Sequence, residues 1–206
     1  MSHCTKRMPQ LVRIAPAGST HLGRAANARH RDTSDGMFAV MRLRAATIAD
    51  LALLRRWDEE PHVVESDPND EWNWEVELAR EPEWREQLVA ELDDGRAIGF
   101  VQIIDPELEE SRYWGDCGPH LRAIDIWIGE ADCLNKGYGT TMMQLALARC
   151  FAVPDVAAVI IDPLASNVRA HRFYERQGFV FVERRQFGDD DCAIYRLERA
   201  RWSRAR

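Results

Sequence analysis

The run Asn135-Lys136-Gly137-Tyr138-Gly139-Thr140 sets two glycines one residue apart, directly ahead of the helical stretch Met142 to Phe151. A glycine turn entering a helix leaves backbone N–H groups free at the positive end of the helix dipole, and such an arrangement holds anions. A phosphate-bearing cofactor is the occupant it suits. The spacing departs from the GxxxxGK[ST] phosphate loop and from the dinucleotide turn GxGxxG with an acidic residue about 20 positions on. Just upstream, Ile124, Ile126 and Ile128 recur with a period of two, so a strand leads into the turn. Asp125 and Trp127 fall on its other face, and it breaks at Gly129. Taken alone, a GxG before a helix is as readily an ordinary tight turn as an anion site.

A second stretch, Asn167 to Phe179, bears on that choice. Asn167 is a good helix N-cap, Ala170, Phe173, Tyr174 and Gln177 follow helical spacing, and Gly178 suits a C-cap before the next strand. Across its length, NVRAHRFYERQGF resembles the N-x-x-A-x-x-x-Y-x-x-x-G-F signature of the GNAT N-acetyltransferases. The glycine turn resembles their Q/R-x-x-G-x-G/A loop, with Leu134 in the first position. The resemblance implies an α+β fold, a mixed and mostly antiparallel sheet flanked by helices, with acetyl-CoA as co-substrate.

Within that superfamily the chain from about Met41 onward is most similar to the aminoglycoside 6′-N-acetyltransferases. The phrases that carry this are His62-Val63-Val64-Glu65, Ala97-Ile98-Gly99-Phe100-Val101-Gln102, Arg122-Ala123-Ile124-Asp125, the glycine turn, and Asp162-Pro163 followed by Ser166-Asn167. Where that family has a tryptophan pair after the first phrase, this chain has Ser66-Asp67-Pro68, with Trp72 and Trp74 further on.

The resemblance implies direct attack of an acceptor amine on the thioester. An ammonium is not a nucleophile, so a base must take its proton. The family pattern puts Asp125 in that role and Tyr174 as the acid serving the departing thiolate. It implies the Ile126 N–H as donor to the thioester carbonyl and the amides of Gly137, Tyr138, Gly139 and Thr140 as the pyrophosphate cradle. Lys136 would add charge, and Asn167 would fix the pantetheine arm. Asp162 matches an acidic acceptor-binding position. Trp114, Asp116 and Glu65 are further acceptor candidates, because a polycation needs several carboxylates and flat faces around it. Two alternatives stay open: an N-acyltransferase for a lysine-like or siderophore-type metabolite, and a non-catalytic coenzyme A-binding module, which would need neither Asp125 nor Tyr174.

The elements that must position these residues follow from local pattern. Met41 to Ala45 alternates as a first strand, and Thr47 caps a helix from Ile48 to Trp57. Asp58 to Trp84 is acidic and rich in tryptophan, read either as a solvated helix whose indoles enter the core or as a wall of the acceptor pocket. Gln87 to Leu92 and Ala97 to Ile104 flank the turn Asp93-Asp94-Gly95-Arg96 as a hairpin. Glu107 to His120 is a loop. Val156 to Ile161 is a buried strand ended by Pro163, and Phe179 to Phe187 with Cys192 to Leu197 form a last hairpin. The order is β-α-α-β-β-β-α-β-α-β-β.

A chain of 206 residues, 46% hydrophobic and 30% charged, is one globular domain with room for an appendage. Residues 37–206 are expected to form the domain. Residues 1–36, rich in Arg, Ala, Ser and His without periodicity, are expected to be a disordered or loosely packed extension, since Met37 or Met41 can each start the domain. No apolar run reaches the roughly 20 residues that span a bilayer. Five cysteines scattered without metal-ligand spacing fit reduced thiols, so a cytoplasmic location and no metal are expected. Residues 1–40 hold six Lys/Arg and two Asp/Glu, which leaves the remaining 166 at −11 of the net −7. An acidic body disfavours nucleic acid and suits a small polycationic acceptor.

Overall fold

The computed structural model describes residues 41–69 and 71–204, so the extension expected at 1–36 lies outside the described residues. One seven-stranded sheet carries the site. In spatial order it runs β1 (Met41–Ala45), β2 (Arg85–Leu92), β3 (Ala97–Ile104), β4 (Leu121–Ile128), β5 (Ala158–Ile161), β7 (Asp190–Glu198) and β6 (Val180–Phe187). All neighbours are antiparallel except β4 and β5, which run parallel. Among the described residues six α-helices accompany them: α1 (Leu51–Asp58), α2 (Pro61–Val64), α3 (Trp74–Leu78), α4 (Tyr138–Ala152), α5 (Val168–Arg176) and α6 (Arg199–Arg204).

This is the order read from sequence, with two additions. The tryptophan-rich segment holds two short helices in place of one, because Pro61 opens α2 and Asn73 caps α3 through Val76 N–H. At the C-terminus, RARWSR has no apolar stripe, and α6 forms on tertiary contacts. The Arg199 guanidinium donates to Val156 O at 2.6 Å and Phe151 O at 2.8 Å, binding carbonyls at and just beyond the end of α4. Trp202 stacks on Phe151.

Side-chain alternation sorts the core into two faces. Ile124 and Ile126 of β4 pack with Met142, Met143, Ala146 and Leu147 of α4, and with Ala170, Phe173 and Tyr174 of α5. On the opposite face, Trp127 joins Phe100, Trp57, Trp74 and Val63 under α1–α3. Further along that face, Leu121, Ala123 and Ile160 lie with Trp84, Trp114 and Cys192. Both faces are therefore buried, and Asp125, on the face of Trp127, is 2% exposed. A Cβ at Gly129 would come 2.0 Å from the Trp57 indole, so the residue that ends β4 must be glycine for α1 to lie where it does.

The sheet is interrupted at its centre. β4 and β5 pair only through Leu121–Ala123 and Ala158–Ile160. Beyond Ala123 the two strands part, and Pro163 keeps β5 from continuing.

Candidate active site

The split leaves main-chain groups of β4 without a strand neighbour on one side. Gly129 N–H donates to Ile98 O at 2.9 Å, and the register pairs Trp127 with Phe100 and Asp125 with Gln102. Antiparallel ladders alternate, so Trp127 and Asp125 spend their backbone groups on β3 while those of Ile126 and Ile128 face the split. His62 of α2, through its Nε2–H, reaches the Ile128 carbonyl at 3.0 Å from this side.

Three buried polar side chains converge on the split. Asp125 ends a hydrogen-bonded row across three strands: Gln87 Nε2 donates to Gln102 Oε1 at 3.2 Å, and Gln102 Nε2 donates to Asp125 Oδ2 at 2.8 Å. Asp162, just past β5, shares a sheet face with Asp125 by alternation and is 3% exposed. The Tyr113 hydroxyl donates to its Oδ2 at 3.0 Å. Burial pushes the Asp162 carboxyl up to about 6, with Tyr113 pulling the other way and the Trp114 indole N–H adding to that pull from outside ordinary hydrogen-bond geometry. Tyr174 enters from the opposite face, on α5. It is fully buried, its hydroxyl has no hydrogen-bond partner, and burial first, then Asp125 and Asp162, hold it protonated. Two carboxyl groups and one phenol hydroxyl thus approach from opposite faces of one sheet.

On the α4/α5 face lies a cleft of about 450 Å³ lined by Ile126 and Ile128, by Leu134, Asn135, Gly137, Gly139 and Thr140, and by Arg169, Arg172, Phe173 and Arg176. Gly137 caps α4 with φ +86°, a left-handed backbone that a β-branched residue would strain. At Gly139 a Cβ would meet only ordinary contacts beyond 3.8 Å, so the fold leaves open the space above it. Thr140 N–H turns back to Gly137 O, and none of the hydrogen bonds among the described residues uses the Tyr138 or Gly139 amide. A pyrophosphate-bearing thioester such as acetyl-CoA fits this cleft: glycine cradle, free helix-start amides and arginines at one end, and Ile126, whose amide is unspent, at the other.

The remaining sequence-predicted residues fall as follows. Asn167 caps α5 through Oδ1 to Ala170 N–H at 3.1 Å, leaving its buried Nδ2 unpartnered. Lys136 is exposed beside Asp132 and, like Tyr138, does not line the cleft. Trp114 is 4% exposed and packs edge-on to Tyr113, a core residue where a pocket wall is expected. Glu65 at the end of α2 and Asp116 beside Cys117 are both exposed, and no hydrogen bond or ion pair brings either to Asp162. Trp74 is buried under a stacked, half-buried Trp72, ring centroids 4.2 Å apart.

Sequence reasoning passes over Tyr113, Gln102 and the cleft arginines. Apolar spacing on α5 marks its core side and says nothing of Arg169, Arg172 and Arg176; their own i, i+3, i+7 spacing is the signal. Arg169 Nη2 donates to Asn135 Oδ1 at 3.1 Å, while its Nη1 is buried without a partner and desolvation lowers its pKa. Tyr113 and Gln102 are joined to their aspartates only by the fold.

Comparison with known proteins agrees with this geometry. Residues 47–187 match the family model described as an acetyltransferase (GNAT) domain. Over 152 residues the chain is 30% identical to an aminoglycoside N(6')-acetyltransferase type 1 of Klebsiella pneumoniae, covering 66% of this chain and 72% of the relative. It is 22% identical over 168 residues to the lysine N-acyltransferase MbtK of Mycobacterium tuberculosis, covering 76% of each. Among solved structures, aminoglycoside acetyltransferase AAC(6')-Ib in complex with coenzyme A and kanamycin superposes with a TM-score of 0.71 at 28% identity, over 80% of this chain and 98% of that one. Among the described residues no helix is long and apolar enough to cross a membrane, and no cluster of His, Cys, Asp or Glu could hold a metal ion. With its family match running from β2 through the glycine turn and α5 to β6, the chain belongs to the GNAT acetyltransferases.

Proposed function

We propose that this protein transfers an acetyl group from acetyl-CoA to the 6′-amine of an aminoglycoside. The observation that carries the reading is the meeting of Asp125 and Asp162 from one face of the sheet with Tyr174 and the cofactor cleft from the other, so that two substrates can approach one gap from opposite sides. Acetyl-CoA supplies an activated acyl carbon and a thiolate leaving group. Asp162 and Asp125 attract the polycation, and Asp125, held by Gln102, accepts the proton of the ammonium that becomes the nucleophile. The Ile126 amide, free of any strand, donates to the thioester carbonyl oxygen.

Tyr174 serves the departing sulfur under a condition its surroundings impose. Burial and the two carboxylates disfavour its anion. Once Asp125 has taken the amine proton and an ammonium sits on Asp162, both neighbouring charges are answered and the hydroxyl can give up its proton. Order therefore matters: base first, acid second.

The test is thiol release from acetyl-CoA with a matched pair of aminoglycosides carrying a 6′-amine or a 6′-hydroxyl. The amine is expected to be acetylated and its hydroxyl analogue to inhibit competitively. Equal acetylation of both would place the reaction on another amine. Ser66-Asp67-Pro68, with Asp67 buried, stands where the resembled family has tryptophans. That departure favours including lysine-like amines in the panel, and their exclusive turnover would replace the aminoglycoside reading.

A further inference from the structure

The charge that a nucleotide's phosphates require does not come from the glycine turn. Leu134 is apolar, and Lys136 is exposed outside the cleft, against Asp132. It comes from α5. Arg169, Arg172 and Arg176 all line the cleft and follow one another at i, i+3 and i+7, along about 10 Å of helix. In a chain with 34 acidic residues against 27 basic ones, most arginines find a carboxylate, as Arg44, Arg56, Arg85, Arg96 and Arg122 do. Among the described residues these three have none. Arg169 is bound only to Asn135 of the turn and keeps a buried Nη1 unpartnered, while Arg172 and Arg176 are exposed at the mouth. A desolvated guanidinium without an anion is costly, and one aimed into a cleft implies that the ligand brings the anion.

We infer that this arginine ladder is the phosphate-recognition element, with Arg169 holding the pyrophosphate against the glycine turn and Arg172 and Arg176 reading the ribose 3′-phosphate, so that the enzyme selects coenzyme A over its 3′-dephospho form. The inference rests on the acetyl-CoA reading above and goes beyond it by assigning a specificity to residues outside the glycine turn. Each contact is charge-assisted and, at Arg172 and Arg176, open to solvent, so an effect of about tenfold is expected from the pair, and more from half-buried Arg169.

The experiment is calorimetric titration of the full chain with coenzyme A, 3′-dephospho-coenzyme A and pantetheine. Arg169→Gln keeps a side-chain amide for Asn135 without the charge. The double variant Arg172→Ala/Arg176→Ala alters exposed side chains only, and thermal melts of the free variants check their folding. Wild type is expected to prefer coenzyme A over the dephospho form by about tenfold. The double variant should lose that preference while binding the dephospho form as wild type does, and Arg169→Gln should weaken both nucleotides and leave pantetheine unchanged. Equal affinity of wild type for the two nucleotides, or variants that bind like wild type, would overturn the ladder while leaving the proposed activity standing. Failure of wild type to bind coenzyme A at all would overturn both.

Discussion

At the scale of single residues, the site contrasts groups that are held with groups that are left spare. Asp125 is held, by Gln102 and through it Gln87, so Asp125→Asn should keep its place in the row and lose the proposed base. Turnover is expected to fall about 10²–10⁴-fold with coenzyme A affinity nearly intact; a rate within a few-fold of wild type would remove Asp125 from the role. Tyr174 is spare. Since its buried hydroxyl makes no hydrogen bond, Tyr174→Phe should keep or slightly raise the melting temperature while slowing transfer. A marked loss of stability with normal turnover would make it a structural tyrosine. Asp162 sets a pH dependence. Its carboxyl, raised from 3.8 to about 6, binds a proton more tightly folded than unfolded, so the stability from its protonated form is complete below about pH 4 and lost as pH rises through 6. Free Asp162→Asn should therefore gain in melting temperature over wild type at pH 8 relative to pH 4. Acceptor affinity should behave oppositely, strengthening from pH 5 to 7 in wild type as the carboxylate forms and losing that slope in the variant. A parallel slope in both proteins would exclude Asp162 from acceptor binding.

At the scale of elements, two glycines at either end of the turn after β4 separate folding from binding. Gly129 is fixed by the Trp57 indole, so Gly129→Ala must displace α1 and should lower the melting temperature measurably. Gly139 meets no such barrier. Gly139→Val should fold and lose coenzyme A affinity in calorimetry, and unchanged affinity in a folded variant would take the turn out of the site. The strands and α5 were legible because their signals are local: alternation in β3 and β4, the Asn167 cap, the glycine at the end of the helix. α6 was not, since it depends on an arginine reaching the carbonyls near the end of α4, and the break of the tryptophan-rich segment into α2 and α3 was missed although Pro61 and Asn73 mark it locally. Asp125 and Tyr174 could be named from motif, but motif gives no account of their relation. Only alternation around an interrupted sheet brings them to one gap from opposite faces.

At the scale of the whole molecule, the acidic balance acts on encounter more than on chemistry. The affinity of a polycationic acceptor or of its hydroxyl analogue should weaken steadily with added salt, given a screening length of about 8 Å at physiological ionic strength. Coenzyme A, on the proposed arginines and backbone amides in an acidic body, should respond less steeply, and equal salt slopes for the two ligands would argue against separate charge environments. The parting of β4 and β5 has a further outcome. A sheet with a gap at its centre is one rung short, and whatever ligand lies along β4 there becomes, for as long as it stays, a piece of the sheet. The Ile126 amide, facing outward into that gap, should exchange its hydrogen for deuterium much faster in the free protein than the amides of Asp125 and Trp127, which β3 already holds. Cofactor binding should erase the difference, and protection should extend to Ala158–Ile161 on the far bank. The substrate would then be a temporary strand, and part of the protein's rigidity would leave with its product.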